Sequence, residues 1–238
     1  MAKEPNLSGD STTSAIWLRR SADQGVLQAQ FRLAELYREG RIEHKKRREQ
    51  AVLYYALAAA QDYSPAQFYL GWAYDTGFGV RQNSLKAASW YLKAAEQGQV
   101  DAQINLALKY IDGRGIGKDV VQARRWLARA AQQNSALAQY ELGKLYASNS
   151  GQKANFVEAY VWTSLAAQQG FTAAVEERKM VQGLLEPSER KHARALLRKR
   201  DELFSQNTRA DRIIRSKNGI EISEPISGLE RVLPRSAQ

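Results

Sequence analysis

The sequence predicts an all-α fold: a right-handed α-α superhelix (solenoid) of helix pairs with a C-terminal helical cap. Three observations lead to this prediction. Aromatic residues recur at a nearly constant spacing, small and aliphatic residues recur at the same spacing, and the segments between them carry helical periodicity. A period between about 20 and 50 residues is typical of repeat arrays, in which each unit buries its apolar face against its neighbours.

The repeat length is defined by the aromatic column Trp17, Tyr54, Trp90, Trp126 and Trp162, whose members are 37, 36, 36 and 36 residues apart. Columns of Ala, Leu and Tyr have the same steps. They divide the chain into a lone helix at 15–25 and repeats at 26–62, 63–98, 99–134 and 135–170. The three columns are Ala29, Ala66, Ala102, Ala138; Leu33, Leu70, Leu106, Leu142; and Tyr37, Tyr74, Tyr110, Tyr146.

Each repeat is predicted to contain two helices. In the repeat at 63–98, Ala66 and Leu70 stand four residues apart and share one face of the first helix. Trp90 lies on the second helix, and we expect it and its column to be core residues. Gly77 is of the type that ends helices in the left-handed conformation, and Asn83 is of the type that caps the next helix. Asn149 stands where the fourth repeat would have this glycine.

These motifs carry a resemblance to a known family. The segments AQFYLGWAYDTGFGV at 66–80 and KAASWYLKAAEQG at 86–98 resemble the Sel1-like repeat, a relative of the tetratricopeptide repeat. The resemblance covers about residues 15–170. It implies a non-enzymatic adaptor that holds a protein or peptide partner in a signalling, secretion or envelope-assembly complex. The disulfides of the cysteine-rich family members are impossible here because the chain has no cysteine.

The two ends lack the full repeat signature. Residues 171–204 are predicted to form capping helices, with Pro187 at a first helical position and an apolar stripe from Ala193 to Phe204. We expect residues 1–14 and the basic tail at 205–238 to be disordered. Within the tail, Asn218-Gly219 is a possible hairpin turn. A linear docking motif and an inert tail remain alternatives for this segment.

Composition and charge further limit the kinds of partner and site that we expect. The formal net charge is +10, which favours anionic partners but also fits a basic protein without one. No apolar run could span a membrane. The chain as written lacks a signal peptide, which indicates the cytoplasm, or the periplasm if a signal had been removed. Two histidines without cysteine do not make a typical zinc site. We therefore expect no catalytic residue, metal or cofactor.

Variation between the repeats points to a binding surface. Some positions of the first helices change residue type while the core columns keep theirs. In a solenoid of the tetratricopeptide type these helices line the concave side, so we expect a groove with Tyr69 and Trp72 as exposed anchors. Packing of these side chains between first helices is the alternative. The predicted groove residues are Arg32, Glu35, Tyr69, Trp72, Asn105, Leu108, Lys109, Glu141 and Lys144.

A second hypothesis is a basic module that docks nucleic acid or another anionic surface, which we consider less favoured than a protein partner. It uses the loop Arg41–Arg48 and the closing helix at 190–200, where cations crowd together. Neither segment has the interleaved aromatic residues that single-strand binders usually carry. The residues of this alternative patch are Lys45, Lys46, Arg47, Arg48, Arg190, Lys191, Arg194 and Arg198.

Overall fold

The structure is a computed structural model that describes residues 11–42, 44–148 and 154–217. Over these ranges it contains eleven α-helices and no β-strand, so the predicted all-α fold is confirmed. The helices are α1 (Ser11–Asp23), α2 (Leu27–Glu39), α3 (Arg47–Ala60), α4 (Ser64–Thr76), α5 (Ser84–Glu96), α6 (Val100–Asp112), α7 (Val120–Gln132), α8 (Ala136–Ala147), α9 (Phe156–Gln168), α10 (Thr172–Leu184) and α11 (Pro187–Lys217).

The helices form two compact units, one ending at Gln133 and the other beginning at Asn134. In unit 1, α2 packs with α3, α4 with α5 and α6 with α7, and α3 and α5 also pack on the first helices α4 and α6 that follow them. In unit 2, α8 packs with α9, and both α10 and α11 pack on α9. The predicted helix pairs are therefore the packing units of the fold.

Local backbone chemistry sets the helix ends. Gly77 adopts the left-handed conformation after α4, with φ of 77°. Asp62 and Asn134 adopt it as well, with φ of 63° and 64°, and both types tolerate this region better than other non-glycine residues. The side chain of Asn83 accepts a hydrogen bond from the backbone amide of Lys86, and that of Asp119 caps α7 in the same way. These five helix ends agree with the sequence patterns.

The recurring aromatic column is buried in most repeats. Tyr54, Trp126 and Trp162 are only 4–7% exposed, beside alanines that are fully buried. Trp17, on the lone helix α1, is instead 59% exposed. Trp90 is part-exposed, which corrects the expectation that it lies fully in the core. The reason at Trp90 is a cleft beside the indole, described below.

A glutamine pair joins the two helices of each repeat. A buried glutamine of the first helix accepts a hydrogen bond from the glutamine that follows the second helix, at 2.8–3.0 Å. The amide of the second glutamine also reaches the turn of the preceding repeat, as from Gln97 to the carboxylate of Asp62. Buried amides need such partners. The pairs are Gln30–Gln61, Gln67–Gln97, Gln103–Gln133 and Gln139–Gln169.

The closing helix of unit 2 is anchored by one arginine. The guanidinium of Arg200 donates two hydrogen bonds to the carboxylate of Glu158, at 2.7 and 3.0 Å, and lies 4.4 Å from the ring of Trp162. Pro187 begins α11 as predicted, but the helix continues to Lys217, past the predicted end of the cap at residue 204. Asn149 and Asn218-Gly219 lie outside the described residues.

Candidate functional site

The candidate surface is the first-helix face of unit 1, which is formed by α2, α4 and α6. Two contacts join these helices side by side. The rings of Phe31 and Tyr69 lie 6.0 Å apart between α2 and α4. Lys109 Nζ lies 2.6 Å from Asp75 Oδ1 between α6 and α4. The face is thus continuous across three repeats.

Several of the predicted groove residues remain accessible on this face. Arg32 is exposed and forms a 3.5 Å ion pair with the part-buried Glu35. Trp72, Asn105 and Leu108 are part-exposed. An exposed ion pair of this kind contributes about 0–1 kcal/mol, so the two charges remain available to a partner.

Tyr69 corrects the prediction of an exposed anchor. Its side chain is only 9% exposed, and its ring stacks on that of Tyr55 at 5.0 Å. On another side the guanidinium of Arg38 lies 5.1 Å from the ring centroid. Burial raises the pKa of Tyr69, and the charge of Arg38 opposes part of that rise. The alternative of packing between helices therefore holds for Tyr69, because large aromatic neighbours fill the space around it.

Lys109 is a second correction, since its side chain is 2% exposed. Its ammonium is paired with Asp75 and lies 6.0 Å from the ring of Tyr91. Burial raises the pKa of Tyr91 strongly, and the negative charge of Asp75 adds to the rise. The position of Lys109 points inward because it belongs to the buried row that holds Ala73 one repeat earlier. A buried lysine must find a carboxylate, and Asp75 supplies it.

Trp72 combines an accessible part with an unpaired polar atom. Its ring lies 4.9 Å from that of Phe78, in the loop after α4. The indole Nε1 is buried and has no hydrogen-bond partner. A buried donor without an acceptor costs about 1–3 kcal/mol. Because Nε1 is buried, only the part-exposed ring of Trp72 is available to a partner.

In unit 2, the predicted groove residues Glu141 and Lys144 form an ion pair at 3.2 Å along α8. Lys144 is exposed, and its ammonium also lies 5.1 Å from the ring of Tyr140. This ion pair therefore places accessible charge on the surface of unit 2.

The basic residues of the alternative patch fall into separate units. In unit 1 the loop residues Lys45 and Lys46 are exposed, and so is Arg48 of α3, whose guanidinium lies 5.5 Å from the ring centroid of Phe78. Arg47, the first residue of α3, is part-buried. In unit 2 the four patch residues on α11 are all exposed. They are Arg190, Lys191, Arg194 and Arg198.

Neither a metal-binding cluster nor a membrane-spanning helix occurs in the described part of the chain. No group of three or more His, Asp or Glu side chains there is placed to hold a metal ion. No helix of the described ranges is both long and apolar enough to cross a bilayer.

The glutamine pairs were not predicted from the sequence, although the signal was present. The first-helix glutamines recur in steps of 37, 36 and 36 residues, and those after the second helices in steps of 36. Polar columns with the period of the core columns indicate buried hydrogen bonds that are repeated with the fold. The lists are Gln30, Gln67, Gln103, Gln139 and Gln61, Gln97, Gln133, Gln169.

Comparison with known proteins gives the same repeat. The family model described as Sel1 repeat matches residues 6–26, 27–63, 64–99, 100–135 and 136–171, one residue out of step with the repeats read from the sequence. No curated protein matches the chain.

Solved structures with this fold include the protective antigen c5321 of uropathogenic Escherichia coli, which displays an SLR fold. It is 28% identical with a TM-score of 0.73 over 94% of this chain, which spans 47% of that chain's length. A Sel1 repeat protein from Oxalobacter formigenes is 28% identical with a TM-score of 0.60, over 68% of this chain and 72% of that one. With five matched repeats and these structural relatives, the chain belongs to the Sel1 repeat family.

Proposed function

We propose that this chain is a non-catalytic adaptor that binds a protein or peptide partner on the first-helix face of unit 1, within a bacterial signalling, secretion or envelope-assembly complex. Sel1 repeats generally mediate protein interactions. The observation that carries the proposal is the contrast between rows of the repeat. Core columns keep their residue type, whereas Arg32, Trp72, Asn105 and Leu108 are accessible and differ from their counterparts in the other repeats.

The chemistry of the face suits an interface. Trp72 and Leu108 offer part-exposed apolar surface, and Arg32 with Glu35 offers charges at one side. Tryptophan and arginine are the residue types most enriched among interface residues with large energetic effects.

Site-specific photo-cross-linking tests this placement. A cross-linking amino acid would replace Asn105 or Leu108 on the first-helix face, and Arg125 or Arg129, both exposed on the second helix α7, in matched controls. We expect one discrete cross-linked protein in cells from positions 105 and 108 and none from 125 and 129. Cross-links from the second-helix positions alone would contradict the proposal.

A second candidate is favoured by the exposed cations of α11. Over the described residues, no ion pair joins Arg190, Lys191, Arg194 or Arg198 to a carboxylate. These cations could therefore meet phosphates without breaking an existing pair. Fluorescence anisotropy with labelled DNA and RNA at two salt concentrations tests this candidate. Replacing the four cations by serine should weaken binding and flatten its salt dependence if α11 is the site, and the change Lys45, Lys46, Arg47 and Arg48 to serine tests the loop separately.

A further inference from the structure

A cleft of about 400 Å³ opens on the second-helix side of unit 1, beside the carboxyl ends of α3 and α5. It does not include Arg32, Trp72, Asn105 or Leu108, the accessible residues of the first-helix face. Its polar lining comes from the turn after α3, from Gln67 of α4 and from the carboxyl end of α5 with the turn that follows. The lining residues are Ala59, Ala60, Asp62, Gln67, Trp90, Lys93, Glu96 and Gln97.

Two residue differences set this repeat apart. Ala60 stands where the following repeats have the longer side chains Glu96, Gln132 and Gln168. A methyl group in that position leaves the space open. It also leaves the indole of Trp90 part-exposed, whereas the equivalent Trp126 is 7% exposed. The cleft is therefore a consequence of the local sequence and not a general property of the repeat.

The second difference is at the turn. Asp62 occupies a place taken elsewhere in the array by Gly25, Gly98 and Gly170, and so brings a carboxylate to the cleft. Its Oδ1 accepts hydrogen bonds from Gln67 Nε2 at 2.8 Å and Gln97 Nε2 at 3.0 Å, which hold the carboxylate in one orientation. A carboxylate fixed in this way needs no further ordering when it meets a ligand.

The charged lining is acidic in a basic protein. Asp62 and Glu96 contribute two negative charges and Lys93 one positive charge, a formal sum of −1, in a chain whose net charge is +10. The ammonium of Lys93 lies 4.3 Å from the ring centroid of Trp90, so the indole face already accommodates a cation. Carboxylates beside an accessible indole are the groups that attract an ammonium or guanidinium.

We propose that this cleft binds a cationic side chain, lysine or arginine, of a protein partner. The aliphatic part of that side chain lies against Ala60 and Trp90, and its charged end meets Asp62 and Glu96 in competition with Lys93. An anionic ligand is disfavoured, because the glutamine amides that would donate to it already donate to Asp62. This proposal does not depend on whether a partner binds the first-helix face.

The test uses small probes and the indole N–H signal of Trp90 in ¹H–¹⁵N spectra of the full chain, assigned with Trp90→Phe. N-acetyl-arginine methylamide and N-acetyl-lysine methylamide should shift the Trp90 signal in a saturable way at low salt. The neutral isostere N-acetyl-citrulline methylamide and the anionic N-acetyl-glutamate methylamide should not. Equal shifts from the citrulline probe, or a larger shift from the glutamate probe, would overturn the proposal.

Three substitutions of exposed residues test the proposal, because they are expected to change the affinity for the arginine probe in different directions. Glu96→Gln should weaken binding of the arginine probe about two- to fivefold, the effect of one exposed ion pair. Lys93→Gln should strengthen it by a similar factor, since the internal competitor is removed. Ala60→Gln, the residue found at 132 and 168, should fill the cleft and abolish the shift. Weaker binding by Lys93→Gln, or unchanged binding by Ala60→Gln, would refute the site.

Discussion

Lys109 Nζ lies 2.6 Å from Asp75 Oδ1, and the lysine side chain is only 2% exposed. The two residues are 34 positions apart, on the first helices of successive repeats. Leu36, Ala73 and Leu145 occupy the position of Lys109 in the other repeats. A buried charge is tolerated where a close partner compensates the lost hydration, so this pair joins two repeats through a specific bond in place of apolar packing.

Removing Asp75 should be more damaging than removing Lys109. Asp75→Ala leaves a buried ammonium without a partner and should lower the free energy of unfolding by about 3–5 kcal/mol. Lys109→Leu should cost less, because the carboxylate of Asp75, 13% exposed, can still reach water. Urea unfolding of both variants, with Lys118→Leu at an exposed position as control, measures the difference. A larger loss for Lys109→Leu would refute this account of the pair.

The glutamine pairs should contribute measurably to stability. Gln103 is buried; it donates to the carbonyl oxygen of Ala95 and accepts from Gln133. Gln103→Met keeps the length of the side chain but removes two buried hydrogen bonds, each with a net contribution of about 0.5–1.5 kcal/mol, so we expect a loss of about 1–3 kcal/mol in urea unfolding. The same change at the exposed Gln132 is the control and should be nearly neutral. If the two variants unfold alike, the buried hydrogen bonds are not a source of stability.

Within the recurring aromatic column, the loss of stability on truncation to alanine should depend on how deeply each side chain is buried. Trp126→Ala should cost about 3–5 kcal/mol, as for other buried aromatic side chains. Trp90→Ala should cost less, because the indole of Trp90 already borders the second-helix cleft and is part-exposed. Thermal and urea unfolding of the two variants compare them directly. An equal or greater loss at Trp90 would mean that the cleft closes around the ring in solution.

The Arg200 anchor should depend on guanidinium geometry. Arg200→Lys keeps the charge but cannot make two parallel hydrogen bonds to Glu158, so docking of α11 on α9 should weaken by about 1–3 kcal/mol. Amide hydrogen exchange should then become faster in α11, while Arg198→Lys, at an exposed position of the same helix, leaves it unchanged. Unchanged exchange in Arg200→Lys would assign the docking to apolar contacts alone.

Most of the fold could be predicted from the sequence, but less of the candidate surface could. Helix pairs, caps and core columns follow from local residue spacing, and the same spacing recurs every 36 residues or so along the chain. The orientation of single side chains does not, because it depends on what the neighbouring repeat supplies. Tyr69 is covered by Tyr55 and Arg38, and Lys109 is drawn to Asp75. Both partners lie on other helices, and no spacing rule within one helix predicts them.

The C-terminal cap shows the same division. Pro187 marked the start of the closing helix, but its length was underestimated because the apolar stripe ends near Phe204. The helix continues beyond that point through a polar segment with three arginines, one lysine and one aspartate. This segment has no periodic pattern of apolar residues from which a helix could be predicted.

The central claim is that the partner binds the first-helix face of unit 1, and the affinities of a matched pair of arginine variants test it most directly. Arg32→Glu and Arg125→Glu make the same charge change at exposed positions, one on a first helix and one on a second helix. Trp72→Ala removes the proposed apolar anchor, and its stability must be measured alongside because its ring packs on Phe78.

For the partner identified by cross-linking, calorimetric titration should give about a tenfold or greater rise in Kd for folded Trp72→Ala, as for an interface residue worth about 2 kcal/mol. Arg32→Glu should reduce affinity by a smaller factor, mainly through slower association, and Arg125→Glu should leave it unchanged. If Arg125→Glu weakens binding more than both other variants, the partner lies on the second-helix side and the central claim is wrong.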